Sequence, residues 1–328
     1  MGTRKEIGSR TLIDGISDFL RAQSPNRNVL VDLIKEYLGK REKSVSLCFR
    51  GNYATLYYRS KQLLKIVYKN QEIRGLFNFR YALPNPNADK YRRELVPLGV
   101  RFGNDERNIS VILEGSKKVE SVNLKEILKD YIALIDFWIA HRKKGEVRES
   151  DRQQELFALG FGGGGQTYFD IEYREPRETL IKEGYYDYAG GDLETKKAEY
   201  QKHSGGRFDL LGLRQEEGGY VLQFTEVKST TGACDGKAGV LDHIRDYTKY
   251  CAYNNLVDKR KSDAVYTVNL LSEILGKGIR LTEEDIIGYE IVFIFTDGAV
   301  KKVKQYREAL QKNHITVLLY DGNLNRIE

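Results

Sequence analysis

Residues 207–229, "RFDLLGLRQEEGGYVLQFTEVKS", constrain the fold more than any other stretch of the chain. Two β-type runs flank a Glu-Glu-Gly-Gly turn, the pattern of a β-hairpin. The return run is mainly apolar rather than alternating, so it is predicted to lie inside a sheet covered on both faces. Yet that run ends in Glu226-Val227-Lys228. Side chains alternate along a strand, so Glu226 and Lys228 share one face and Val227 points to the other. Asp209 stands 17 positions before Glu226 on the outgoing strand, where hairpin pairing can bring it alongside. Two acids and an ammonium at the end of a buried strand are either an ion pair or a site.

The chemistry of such a site is specific. Two close carboxylates repel, so one takes a proton or a cation sits between them. Mg²⁺ suits a site of few carboxylates completed by substrate oxygens. A cation there can polarise a phosphate and acidify a water. Lys228 can orient that water or offset charge growing on the phosphate.

The order that follows is a loop, "TTGACDGKAG", and a helix, "VLDHIRDYTKYCAYNN", with Val240, Leu241, Ile244, Tyr247 and Cys251 on one side. Arg245 and Lys249, at i and i+4, share another face, where they can meet phosphates. Two further strands, "YEIVFIFTD" and "ITVLLYDG", flank a helix "KKVKQYREALQKN". With this order, the Asp209…Glu226-Val227-Lys228 pattern resembles the PD-(D/E)XK nuclease superfamily over about residues 150–328. Phe208 stands where the family name has proline.

The resemblance implies a restriction-endonuclease-like α/β/α core with a mixed sheet. It makes Asp209 and Glu226 the metal-binding acids, Lys228 the catalytic lysine and the Val227 carbonyl an extra ligand. Many relatives add a glutamate from the preceding helix; Glu155 in "DRQQELFALGF" is the first choice, with Glu194 and Glu199 competing. Some carry Gln-x₃-Tyr in the helix after the site; Asp246 and Tyr250 have that spacing, but Asp is not Gln and no role is carried over. The implied activity is Mg²⁺-dependent hydrolysis of DNA, more than RNA, with Mn²⁺ substituting. The implied settings are restriction, anti-phage defence or repair, and a homodimer would account for double-strand breaks. Two alternatives remain: a nucleic-acid-binding module without catalysis, and a nuclease gated by whatever the first half of the chain senses.

The first half is predicted to be a separate α+β domain, residues 1–148, followed by the nuclease-like domain, 149–328. "TLIDGISDFLRAQSPNRNVLVDLIKEYLGK" reads as two amphipathic helices broken at Ser24-Pro25. A β-meander follows in "SVSLCFRG", "YATLYYRS" and "LLKIVYKN", its last strand continued by "GLFNFRYA". "ISVILEG" and a long helix from Leu124 through Trp138 complete the domain. Residues 1–150 hold 29 basic and 18 acidic side chains, a net of +11; the remaining 24 and 29 give −5. A basic half fits a polyanion partner. Arg50, Arg59, Lys65 and Lys69 interleave with Phe49, Tyr57, Tyr58 and Tyr68, which suits phosphate contacts and base stacking; equally, the tyrosines fill a core and the charges face water.

Other readings fall away. Gly160–Thr167 spells G-x-x-x-x-G-Q-T, but Gln166 replaces the phosphate-binding lysine and a helix precedes the loop, so a hinge is expected rather than a phosphate loop. Glu6 stands where a myristoylation signal at Gly2 needs Ser or Thr. Cys48, Cys234 and Cys251 are odd in number and lack a C-x-x-C, which argues against a disulfide scaffold and for a reducing cytoplasm. His141, His203, His243 and His314 are scattered and are expected to be ordinary surface or half-buried residues. No run is long and apolar enough to span a membrane.

Overall fold

The computed structural model describes residues 11–38, 40, 44–78, 89–90, 93, 101–102, 108–115, 123–141, 148–160, 165–185, 205–236 and 238–327. Glu194, Glu199, His203 and residues 161–164 of the glycine run lie outside these. The fold is mixed α/β with two sheets and two compact units. One is Arg10–Glu146 with Leu270–Ile279; the other is Val147–Asn269 with Arg280–Glu328. The chain therefore crosses near the expected boundary at 148, but it also returns ten residues from the second half to the first unit. Among the described residues, no helix is long and apolar enough to cross a membrane.

In the first unit, α1 (Asp14–Arg21) and α2 (Pro25–Tyr37) are separated as the Ser-Pro pair predicts. Pro25 takes the first helical turn and the Ser24 hydroxyl accepts from the Arg27 N–H. Strands β1 (Val45–Phe49), β2 (Tyr53–Tyr58), β3 (Lys61–Lys69), β4 (Glu72–Asn78), β5 (Arg101–Phe102) and β6 (Asn108–Gly115) form a six-stranded antiparallel sheet, ordered β1-β2-β3-β4-β6-β5. "GLFNFRYA" does not continue β3. The chain reverses at Asn70 and Gln71, both with positive φ, and its start forms the end of β4. Two consecutive left-handed residues are the signature of a tight hairpin turn. Without a glycine there, the sequence hides it. Helix α3 (Leu124–Ala140) buries Leu124, Ile127, Leu128, Tyr131, Leu134 and Ile135; Trp138, expected on the same stripe, is only half-buried.

In the second unit, α4 (Glu149–Gly160) leads to β7 (Gln166–Arg174) and a short helix α5 (Arg177–Lys182). The hairpin is β8 (Arg207–Glu216) and β9 (Gly219–Lys228), paired from Leu210↔Thr225 to Glu216↔Gly219. A single-turn helix α6 (Thr231–Cys234), then α7 (Val240–Cys251) and α8 (Asn254–Leu275), follow; the end of α8, from Leu270, is counted with the first unit. Strand β10 (Ile286–Phe295), a 3₁₀ segment (Asp297–Lys302), α9 (Val303–Lys312) and β11 (Thr316–Leu319) finish the chain. The sheet order is β11-β10-β9-β8-β7. β7, β8 and β9 are antiparallel neighbours, whereas β9, β10 and β11 run parallel. β9 is central, and every residue from Leu222 to Lys228 is buried, so both of its faces are covered.

Helix α8 escapes a sequence reading. Its inward positions include Leu256, Val257, Ala264, Val268 and Leu271, but also Arg260, Asp263 and Thr267. Polar residues inside the stripe mask its period. They are tolerated because Arg260 bonds Glu175 at 2.7 Å and Asp263 at 2.9 Å, while Tyr173 and Tyr250 also donate to Glu175.

Candidate metal centre

The strand β9 delivers Glu226 and Lys228 to one face, as alternation requires. Lys228 Nζ lies 2.5 Å from Glu226 Oε1, and both are almost fully buried. Asp209 reaches them from β8, just past the last paired residues. There the Val227 N–H donates to Asp209 Oδ2 at 2.8 Å. The Val227 peptide thus touches Asp209 through its amide.

The third carboxylate comes from α4, and it is Glu149 rather than Glu155. Glu149, Asp209 and Glu226 each offer an oxygen, all within 4.8 Å of one another. Glu155 sits six residues further along the helix, about 9 Å away and turned to another face. It is taken up by Arg152 at 2.6 Å. Arg152 also grips Asp297 with two bonds of 2.8 Å and the Gly322 carbonyl at 2.9 Å. That fork pins α4 one turn beyond Glu149. The sequence carried Glu149 in plain view, but nothing in its spacing separated it from its helical neighbours.

The electrostatics are those of crowded acids. Burial raises the Glu149 pKa to about 7, with Glu226 adding to it and Lys228 and the Ser229 N–H opposing. Burial, then the Glu226 and Glu149 charges, push Asp209 well above the carboxylate range. Burial works against the charge on Lys228, but Glu226, Glu149 and Asp209 more than offset it and its pKa lies above normal. One oxygen of Glu149, Oε2, is buried with no hydrogen-bond partner. An all-oxygen donor set with an orphaned buried carboxylate oxygen fits a hard divalent cation such as Mg²⁺ or Mn²⁺.

Helix α7 closes the site. His243 Nε2 lies 3.2 Å from Glu226 Oε1, and the Tyr247 hydroxyl donates to Glu226 Oε2 at 2.5 Å. His243 is half-buried, within the range expected, but it is engaged with the Glu226 carboxylate. Burial holds its pKa below normal despite the Glu226 charge. The x₃ spacing that matters on this helix is His243 to Tyr247, one turn before Asp246 and Tyr250; Tyr250 instead donates to Glu175. The i, i+4 rule puts the two on one face of the helix; only packing shows that this face meets Glu226.

Glu149, Asp209, Glu226, Lys228 and His243 line one cavity of about 420 Å³, together with Glu172, Arg174 and Arg207. The expected phosphate-binding residues of α7 do not line it. Arg245 pairs with Asp242 at 2.7 Å, and Lys249 lies over the Tyr185 ring. In the first unit, Arg59 pairs with Asp136 at 2.8 Å and Arg50 donates to the Phe49 carbonyl. Lys65 lies over the Tyr53 ring. Phe49 and Tyr58 are core residues, and the Tyr68 ring covers Gly15 so closely that an added Cβ would lie 2.8 Å from it. The cysteines are three buried free thiols.

No family model, curated protein or solved structure matches the chain. What the fold and site define is a mixed α/β protein with three converging carboxylates and a buried lysine.

Proposed function

We propose that the chain is a metal-dependent nuclease of the PD-(D/E)XK type, hydrolysing phosphodiester bonds of DNA without a covalent intermediate. The observation that carries this reading is the convergence of Glu149, Asp209 and Glu226 beside Lys228, with one carboxylate oxygen of Glu149 left without a donor. The β7–β11 sheet, with its antiparallel hairpin and parallel β10 and β11, is the arrangement the resemblance implies, and it supports a restriction-endonuclease-like core.

Glu149, Asp209 and Glu226 would hold the Mg²⁺. When bound, the ion would polarise a phosphoryl oxygen and make a coordinated water a better nucleophile. Lys228 supplies a positive charge fixed by Glu226, set to offset charge accumulating on a phosphate in the cleft. The Val227 N–H holds Asp209 in place. Tyr247 and His243 hold the Glu226 carboxylate, so that its orientation does not depend on Lys228 alone.

The test is cleavage of supercoiled plasmid in Mg²⁺ or Mn²⁺, with EDTA and Lys228→Ala as controls. Nicking or linearisation that disappears in both controls is expected. Cleavage that survives EDTA, or that Lys228→Ala leaves intact, overturns the reading. Intact DNA binding without any cleavage would favour the non-catalytic module or a gated enzyme.

A further inference from the structure

Glu149 is the first residue of α4, a place where a helix has unpaired N–H groups and frays. A metal ligand there needs an anchor from outside the helix, and two are present. The Ser229 N–H donates to the Glu149 carboxylate. Three residues on, about 4.5 Å along the helix axis, Arg152 is buried with every guanidinium nitrogen engaged. Its Nε and Nη2 form a two-pronged bond to Asp297, both at 2.8 Å; Nη2 also donates to the Gly322 carbonyl at 2.9 Å, and Nη1 to Glu155 at 2.6 Å. Asp297 stands two residues past the end of β10 at a positive φ of 50°, a conformation costly outside glycine and kept where the surroundings fix it. Its neighbours reach the site. The Thr296 N–H donates to the Lys228 carbonyl at 2.8 Å, and the Ala299 N–H to the Ser229 carbonyl at 3.4 Å. The fork therefore joins the helix that carries Glu149 to the segment bonded to the backbone of Lys228 and Ser229.

We propose that Arg152 is a positioning residue for the metal centre, its fork to Asp297 setting how far Glu149 stands from Asp209, Glu226 and Lys228. This rests on the reading of the three acids as a metal site. A ligand set works only when its members are held to within about 0.5 Å, and a side chain on a helix end does not meet that tolerance alone. Arg152 acts through Glu149, not on the cation. The planar guanidinium makes two parallel bonds to one carboxylate and so fixes direction as well as distance; an ammonium keeps the charge but loses the fork. Arg152→Lys is thus the telling change. Glu155 takes only Nη1, so the fork to Asp297 does not depend on it.

The test is Tb³⁺ luminescence titration of the full chain, with circular dichroism and a thermal melt to establish folding. Arg152→Lys should weaken Tb³⁺ binding about tenfold or more, the scale expected when a group supporting a metal ligand is altered. Asp297→Asn, which keeps one acceptor oxygen, should give a smaller loss in the same direction. The deciding measurement is the double variant Arg152→Lys/Glu149→Gln. If Arg152 acts through Glu149, Arg152→Lys should add less than about twofold to the loss that Glu149→Gln causes by itself, a coupling that independent sites do not show. A loss undiminished on the Glu149→Gln background would make Arg152 a support of the fold alone and overturn the inference. Should Arg152→Lys fail to fold, the same cycle run with Asp297→Asn decides by the same criterion. A wild-type chain that binds no Tb³⁺ removes the metal site and the inference together. A wild type that binds Tb³⁺, with its affinity unchanged in folded Arg152→Lys, removes the inference alone.

Discussion

The two units handle charge in opposite ways. In the first, several basic side chains of the described part of the antiparallel sheet are answered close to home. Arg59 meets Asp136, Arg74 meets Glu72, Lys65 covers the Tyr53 ring and Lys61 approaches Trp138. In the second, three carboxylates crowd one buried corner with a single lysine and a histidine among them. Compensated charge on a surface is ordinary and contributes little, about 0–1 kcal/mol per pair. Crowded like charge in a buried place costs stability and persists where it has work to do. The comparison places the crowded, buried charge among the described residues in the mildly acidic half, whereas net charge and the interleaving of basic and aromatic residues had pointed to the basic one.

Lys228 offers the strongest way to break that comparison. Lys228→Ala should lower cleavage by about 10²–10³-fold or more. Removing one partner of a buried pair also costs about 3–5 kcal/mol, so circular dichroism and a thermal melt must accompany the assay. Activity within a few-fold of wild type in a folded variant would mean that the Lys228–Glu226 pair is only structural.

Glu149 and Glu155 sharpen it next. Glu149→Gln should weaken Mn²⁺ or Tb³⁺ binding by about 10–100-fold, the scale seen when a group that tunes a metal site is altered. Glu155→Gln should change it less than about twofold, because that side chain serves Arg152. The reverse order would restore Glu155 to the site. Calorimetric or luminescence titration decides between them.

A pH series carries a smaller but distinctive effect. The folded pKa of Glu149, about 7, exceeds its ordinary value of 4.5. Between those two pH values the folded chain binds more protons than the unfolded one. Stability without metal should therefore fall as pH rises from about 4.5 to about 7, and Asp209 shifts in the same direction. A divalent cation takes the place of those protons. The rise in melting temperature on replacing EDTA with Mn²⁺ should be larger at pH 8 than at pH 5.5. A rise that is the same at both pH values would separate the cation from these acids.

The smallest expected effect belongs to the first unit. Arg59→Gln loses a half-exposed ion pair and should cost about 1 kcal/mol or less, with oligonucleotide affinity nearly unchanged. A tenfold loss of affinity would show that the first unit binds nucleic acid after all, and that its compensated charges open up on contact.

The sequence by itself determined the hairpin, the central burial of β9 and the shared face of Glu226 and Lys228. It also determined the two helices split at Ser24-Pro25 and the stripe of α3. These follow from local rules: side-chain alternation with period 2, helical periodicity and the restrictions of proline. It did not single out the turn at Asn70-Gln71, since Asn70 is followed by Gln71 rather than the glycine that usually completes such a turn. Nor could it show α8, whose inward face carries Arg260 and Asp263. Their fitness for burial depends on Glu175, some 85 residues away in the chain. Only the tertiary structure chose Glu149 over Glu155 and moved His243 from the background to the Glu226 carboxylate. Each of those depends on which helix face or strand register meets β8 and β9. Packing between distant segments fixes that, and no local pattern encodes it.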